Sequence, residues 1–333
     1  MTNSAKALIE LGLEKNKSVA ILGSNSPEWF SCAVGAVLAG GVVTGVYTTN
    51  TPEAIAYQLQ HSQTNVAVVD SDAQLQKVLQ VKHKLPELRT IIHYGKSDTS
   101  ENVVNWDNFK QQGNTYDTQL KARLAGQAIN QTALVVYTSG TTAKPKGVLL
   151  SQDNLTWLSY ACKEFYNARE GEEVGISYLP VSHVVGQVID LWMSPIIAGT
   201  IYFADKDALR GTLVNNLVRI KPTRFIGVPQ VYEKMQIELE KAFAQATGLK
   251  SGVLNWARRV STEHLDSLLA GGVGIPLRYS LADKFILKKI QGRLGLDNCV
   301  GGVYSGAAPL SMETIQFMKT IGLVVNEIYG DYL

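Results

Sequence analysis

Ala133-Leu134-Val135-Val136-Tyr137-Thr138-Ser139-Gly140-Thr141-Thr142-Ala143-Lys144-Pro145-Lys146-Gly147-Val148 passes from an apolar run straight into a turn rich in hydroxyls and carrying two lysines. The apolar lead, residues 133–137, predicts a buried strand. A glycine-containing turn placed after such a strand aims backbone N–H groups and side-chain hydroxyls at phosphate oxygens, and Lys144 and Lys146 would neutralise their charge. Pro145 stiffens the turn and holds the two ammonium groups apart. By composition alone, the same stretch also reads as a polar surface loop with two solvated lysines.

Other nucleotide and hydrolase patterns do not fit. The chain has one Gly-Lys-Ser, Gly95-Lys96-Ser97, and Thr90 stands where a Walker A loop needs its first glycine. No Gly-x-Gly-x-x-Gly occurs, and in Gly302-Val303-Tyr304-Ser305-Gly306 the serine falls one place too late for a hydrolase elbow. Hydride transfer and ester hydrolysis therefore lack support.

With 333 residues and 45% hydrophobic content, the chain has enough apolar material for one large or two ordinary domains. Its formal charge of +2, from 31 basic and 29 acidic residues, exerts no global pull on nucleic acid or an anionic membrane. Cys32, Cys162 and Cys299 are too far apart for a metal motif or a disulfide framework, so they read as buried thiols in a reducing compartment. Residues 1–6 lack the pattern of a secretory signal. Residues 184–204 are apolar but interrupted by Gln187, Asp190 and Pro195, which predicts a core helix followed by a strand in preference to an interfacial membrane segment.

Strand and helix signals alternate. Strands are expected at 19–22, 42–46, 66–69 and 89–93, with helices opened by Ser26-Pro27-Glu28 and Thr51-Pro52-Glu53 between them, which implies an α/β fold with a parallel sheet. Residues 102–113 read as a connector. Further on, Ser151 opens a helix, strands follow at 174–178, 200–203 and 223–228, and helical spacing dominates residues 229–269. Lys284, Lys288 and Lys289 lie on a helix beginning near Tyr279 and read as a solvated face. Residues 299–304 and 323–328 are the last two strands.

Residues 137–148 resemble the signature loop of the adenylate-forming enzymes, Tyr-Thr-Ser-Gly-Thr-Thr-Gly-x-Pro-Lys-Gly-Val, with Ala143 in place of a family glycine. The resemblance implies ATP, with its phosphates held by Thr138, Ser139, Gly140, Thr141, Thr142, Ala143, Lys144, Pro145 and Lys146. It also implies Mg2+, for which Thr138 is a candidate contact, and CoA as co-substrate. Leu179-Pro180-Val181-Ser182-His183 is similar to the family's Leu-Pro-Leu-x-His segment at the acyl site, although a histidine there also suits a helix cap or a core position. Residues 223–234 look like the Phe-x-Gly-Val-Pro element that borders the fatty-chain tunnel, with Gly227 allowing close approach and Tyr232 able to gate. Gly306-Ala307-Ala308-Pro309-Leu310 resembles the adenine-binding turn, and Glu327, Tyr329 and Gly330 match the start of the next nucleotide-binding element. Ser26 to Phe30 and Tyr47 to Asn50 extend the likeness towards the N-terminus.

The chain as a whole looks like a long-chain fatty-acyl-CoA synthetase. Residues 207–213 and 295–299 are similar to its bubblegum-type branch. The resemblance implies the large N-terminal domain of such an enzyme, incomplete, with layered parallel and mixed sheets, helices on both faces, and lobes at 1–128 and 129–333. Its reaction joins a fatty carboxylate to the α-phosphate of ATP and then transfers the acyl group to CoA. No nucleic acid or obligate protein partner is implied, and the expected location is cytoplasmic, peripheral at the endoplasmic reticulum membrane. The family's magnesium-binding glutamate, ribose-binding aspartate and catalytic lysine would lie beyond Leu333, and an N-terminal portion would precede Met1. The expectation is then weak or no ligase activity for these 333 residues, with a truncated form that binds nucleotide or fatty acid without turnover as the alternative. If position 143 needs φ > 0, alanine costs about 1–2 kcal/mol there. Ala143→Gly is expected to tighten nucleotide binding measured by calorimetry, and unchanged or weaker binding would show the alanine to be harmless.

Overall fold

The apolar runs and helix-opening residues of the first half become an alternating series. In the computed structural model these elements are α1 (Thr2–Glu10), β1 (Ser18–Leu22), α2 (Pro27–Leu38), β2 (Val42–Val46), α3 (Pro52–His61), β3 (Thr64–Val69), α4 (Asp72–Val81) and β4 (Thr90–His93). The structure describes residues 1–95, 103–138 and 145–328. The Ser26 hydroxyl accepts from the Trp29 N–H at 3.1 Å and the Thr51 hydroxyl from the Ala54 N–H at 3.3 Å, so both predicted caps form, each with proline at the first helical position.

The chain divides into two compact units, Met1–Phe165 with Ser177–Ile196, and Tyr166–Ile176 with Ile197–Leu333. In the first, the series continues with β5 (Val103–Asn105), α5 (Trp106–Gln111), α6 (Asp117–Ala125), β6 (Thr132–Thr138), β7 (Lys146–Ser151) and α7 (Gln152–Phe165). The strands form one sheet in the order β5-β4-β3-β1-β2-β6-β7, parallel throughout except for the β6–β7 pair. Ala20, Leu22, Ala67 and Val69 pack with Ile55 and Leu59 of α3 and Leu75 and Val78 of α4. The alternate residues Val19, Ile21, Val66 and Val68 are just as buried, which is why residues 19–22 and 66–69 are apolar at every position.

Several readings of the sequence need correction. The expected connector at 102–113 contains β5, which pairs in parallel with β4, and α5, whose Phe109 is buried; three residues are too short a run for an alternation signal. β7 was not expected at all, because Lys146-Gly147-Val148 reads as the end of a loop until β6 offers it a partner. The sheet also runs through the expected lobe boundary at 128/129, since β6 pairs with β2. Of the cysteines, Cys32 is fully buried, whereas Cys162 and Cys299 are partly buried.

After β8 (Val174–Ser177), α8 (Val184–Gly186), a π-helical turn (Gln187–Trp192) and α9 (Met193–Ile196) make the helical run foreseen for this stretch. The second unit holds β9 (Thr200–Phe203), α10 (Leu213–Ile220), β10 (Phe225–Gly227), α11 (Pro229–Ala244), α12 (Gly248–Leu269), α13 (Leu277–Ala282), α14 (Lys288–Leu294), β11 (Val303–Ser305), α15 (Met312–Thr320) and β12 (Val325–Glu327). β10, β11 and β12 form a parallel sheet, and β8 pairs with β9.

A buried ion pair anchors this second unit. The Arg224 guanidinium lies 3.1 Å from the Glu173 carboxylate, donates to the Tyr166 carbonyl at 2.8 Å and sits over the rings of Tyr166 and Tyr304. Burial, the largest influence on Glu173, pushes its carboxyl up, but bonds from the Thr223 hydroxyl, the Arg169 N–H and Arg224 together hold it below the ordinary value. Arg224→Met leaves that carboxylate buried without its counter-ion and is expected to cost about 3–5 kcal/mol in urea unfolding. The double variant Arg224→Met/Glu173→Leu is expected to recover part of the loss; equal losses in both would show that the guanidinium acts through packing alone.

Candidate functional site

β6 and β7 hold the base of the lysine-bearing loop. Their antiparallel register runs from Leu134 opposite Leu150 to Thr138 opposite Lys146, so the chain leaves and re-enters the sheet at two directly paired residues. Thr138 is partly buried and Lys146 exposed. The Tyr57 hydroxyl donates to the Pro145 carbonyl at 3.0 Å and pins the returning chain to α3. Tyr137 donates to the Gln58 carbonyl at 3.1 Å and therefore accepts from His61 Nδ1 at 2.9 Å. Burial pushes the Tyr137 phenol up to about 12, so it stays neutral. Ser139, Gly140, Thr141, Thr142, Ala143 and Lys144 lie outside the described residues, as do Tyr329 and Gly330.

A second arrangement fixes the segment leading to His183. Asn25, just past the carboxyl end of β1, donates to the Ser177 hydroxyl at 2.8 Å and the Leu179 carbonyl at 2.7 Å, and accepts from the Val181 N–H at 3.1 Å. Gly45 of β2 completes the seat, since a Cβ there would stand 2.7 Å from Ser182 Cα. His183 caps α8, its Nδ1 accepting from the Val185 N–H at 3.3 Å. The residue is exposed, yet partial desolvation of the ring lowers its pKa below the usual histidine value, which favours the neutral form that such a cap needs.

Behind this segment, the Ser177 hydroxyl also bonds the Asp190 carboxyl, and burial pushes that carboxyl up to about 7. Asp190 sits on the π-helical turn, where the fully buried Gln187 amide has no hydrogen-bond partner among the described residues. Asn25, Ser177 and Asp190 thus form a polar chain beneath Leu179 to His183.

In the second unit, the structure brings together the residues expected around the acyl tunnel and the adenine. Gly227, Ser305 and Glu327 occupy one row across β10, β11 and β12, each the last residue of its parallel strand. The carboxyl ends of parallel strands are where α/β sheets present ligand sites. A Cβ on Gly227 would meet the Tyr232 ring at 2.9 Å and the Phe225 ring at 3.1 Å, so glycine is required there by packing. Tyr232 is fully buried and its hydroxyl donates to the Tyr304 carbonyl at 2.6 Å; any gating swing would have to break that bond. Gly306 donates to the Gly227 carbonyl at 3.2 Å, and Glu327 accepts from the Leu310 N–H at 3.0 Å, closing the Gly306-Ala307-Ala308 turn from both ends. Ala307 takes φ +71 and is exposed, a conformation rare for a residue with a side chain.

Among the described residues no group of His, Cys, Asp and Glu side chains is gathered to hold a metal; Thr138, the candidate magnesium contact, is the partly buried last residue of β6. Asn25, Gly45, Tyr57 and His61 carry no site expectation in the sequence, and Asp190 enters it only as an interruption of the apolar stretch 184–204. A polar residue immediately after an apolar strand, as in Leu22-Gly23-Ser24-Asn25, was the available signal for Asn25.

The fold is α/β in both units, and the AMP-binding enzyme family matches residues 1–331, so the chain belongs to that family. It is 42% identical to the long-chain-fatty-acid–CoA ligase ACSBG2 of Xenopus laevis over 98% of this chain and 45% of that protein. It is 40% identical to the human ligase ACSBG1 over 98% of this chain and 46% of that protein. The chain therefore spans about half the length of the curated relatives it matches. The crystal structure of the anthranilate CoA ligase AuaEII shares the fold, with a TM-score of 0.69 at 16% identity over 97% of this chain and 52% of that one. The sequence resemblance to adenylate-forming enzymes, and to their bubblegum-type branch, is thereby confirmed.

The raised pKa of Asp190 fixes a pH dependence. Unfolded, the carboxyl loses its proton near its ordinary value of 3.8; folded, at about 7. The folded state holds more proton in between, so the contribution of the neutral carboxyl is complete below the lower value and is lost as pH rises to the upper one, by at most ~4 kcal/mol. Asp190→Asn is expected to flatten denaturant-measured stability across this window. An unchanged slope would show that other groups set it.

Proposed function

We propose that this chain carries nucleotide- and acyl-binding parts of an AMP-forming long-chain fatty acid–CoA ligase. Support comes above all from the sequence match to relatives of that name, together with the Thr138–Lys146 pairing that holds the phosphate-loop motif at a strand end. In this reading Thr138, Ser139, Gly140, Thr141, Thr142, Ala143, Lys144, Pro145 and Lys146 engage the ATP phosphates. Gly306, Ala307 and Ala308 lie against adenine, where small side chains let a flat ring approach the backbone. Glu327 holds that turn through the Leu310 N–H, and Tyr329 and Gly330 complete the nucleotide side. His183, Gly227 and Tyr232 border the acyl chain.

The chemical obstacle is that two anions, a carboxylate and a triphosphate, must meet. Lysine ammonium groups and backbone N–H donors offset that repulsion and align the attack on the α-phosphate. Mg2+, when bound, would neutralise further phosphate charge, with the Thr138 hydroxyl as one oxygen near it. CoA is the acceptor in the second step. The proposed location is cytoplasmic, peripheral at the endoplasmic reticulum membrane, where long-chain fatty acids partition.

ATP–pyrophosphate exchange with a long-chain fatty acid isolates the adenylation half-reaction. Whatever exchange these 333 residues support is expected to require the fatty acid and to fall by roughly 100-fold in Lys146→Ala, the scale of losing one transition-state charge contact. A folded sample that binds ATP without exchange would replace this reading with nucleotide binding alone.

A further inference from the structure

The helical hairpin of the second unit ends in a surface that the proposed chemistry does not use. α12 stops at Leu269, and residues 270–276 reverse the chain into α13. Around this reversal Leu269, Val273, Ile275 and Leu277 are 65%, 97%, 70% and 75% exposed. Gly271 and Gly274 take φ +87 and +86 with open space where a Cβ would stand, so glycine supplies the turn while aliphatic side chains occupy its outside. Hairpin tips ordinarily carry Asn, Asp or Ser there.

The apolar surface continues along the helix. Leu277, Leu281 and Phe285 recur every four residues on one face, and all are exposed. Inward, Ala282 and Leu287 pack against Ala257 and Val260 of α12, so the hairpin has its own small core and the outer stripe is not part of it. Charge distinguishes the region as well. Residues 248–293 carry eight Lys and Arg against three Asp and Glu, although the whole chain is only +2. Arg278, Lys284, Lys288 and Lys289 are exposed beside the stripe, and Lys284 Nζ lies 5.7 Å from the centre of the Phe285 ring.

We propose that this hairpin tip docks on an anionic lipid bilayer, with Val273, Ile275, Leu277, Leu281 and Phe285 entering the boundary between headgroups and acyl chains. Lys284 and Lys289 then face the lipid phosphates, whereas Arg278 pairs with Glu263 at 3.1 Å and Lys288 donates to the Asp297 carbonyl at 3.0 Å. Exposed aliphatic groups flanked by cations are the composition of interfacial anchors. A second copy of the hairpin would bring two cationic surfaces together, which repel. A tip with a side chain 97% exposed also suits a fluid surface that closes around it better than a rigid groove. No helix among the described residues is long and apolar enough to cross a membrane, so the contact is peripheral. The inference rests on the membrane-peripheral part of the proposed function and on none of the catalytic part.

Sedimentation of the 333-residue chain with sucrose-loaded vesicles tests it, comparing phosphatidylcholine alone with phosphatidylcholine containing phosphatidylserine. The wild type is expected to prefer the anionic vesicles, less so at high salt, and Val273→Asp/Ile275→Asp to weaken binding at least ~10-fold with an unchanged circular dichroism spectrum. Lys284→Glu/Lys289→Glu is expected to abolish the anionic preference. Wild-type binding that the tip variant leaves intact would overturn this assignment and leave the peripheral location standing. No binding to either vesicle would overturn both, and a dimer lost in the tip variant by sedimentation velocity would identify a second copy as the occupant.

Discussion

The position of β6 between β2 and β7 is the constraint on which the candidate phosphate site depends. It pairs in parallel with β2 at Leu134 and Val135 and along its length with antiparallel β7, and a slip of register by one residue would turn its buried side chains to the opposite face. Thr138 and Lys146 are thereby set opposite one another. The loop between them departs from a fixed base, and the bond from Tyr57 to the Pro145 carbonyl ties its returning arm to α3.

Polar contacts of a different kind hold the rest. Asn25 uses both ends of its amide to tie the 177–181 segment to the end of β1, and no neighbouring apolar contact has that directionality. Ser177 passes the connection to Asp190, whose carboxyl remains protonated up to about pH 7 because burial opposes its charge. In the second unit the Glu173–Arg224 pair does comparable work. Every donor and acceptor around it is supplied by backbone or side chain, which offsets the cost of burying two charges.

The hairpin formed by α12 and α13 follows another logic. Its inner face obeys the usual rule that apolar residues pack together, and its outer face does not. The lysines at 284, 288 and 289 read in the sequence as a solvated face, and by themselves they are no more than that. Only the exposure of Leu277, Leu281 and Phe285 among them changes their meaning, because a cationic surface interleaved with uncovered apolar groups has an energetic reason to leave water.

Most of the first unit was legible before any coordinates. Apolar runs buried on both faces announce parallel strands, Ser-Pro and Thr-Pro announce helix starts, and Tyr137 to Val148 announces a loop whose residue order is specific. These signals are local, each contained within a dozen neighbours, and so the sequence alone determines them. β7, β5 and the short strands at 225–227, 303–305 and 325–327 needed partners far along the chain to become strands at their observed bounds. The shared row of Gly227, Ser305 and Glu327, the seat that Gly45 makes for Ser182, and the polar chain from Asn25 to Asp190 were decided by tertiary structure alone. The physical reason is that register, close approach and desolvation belong to pairs of residues, and a sequence read one segment at a time contains neither member's distance to the other.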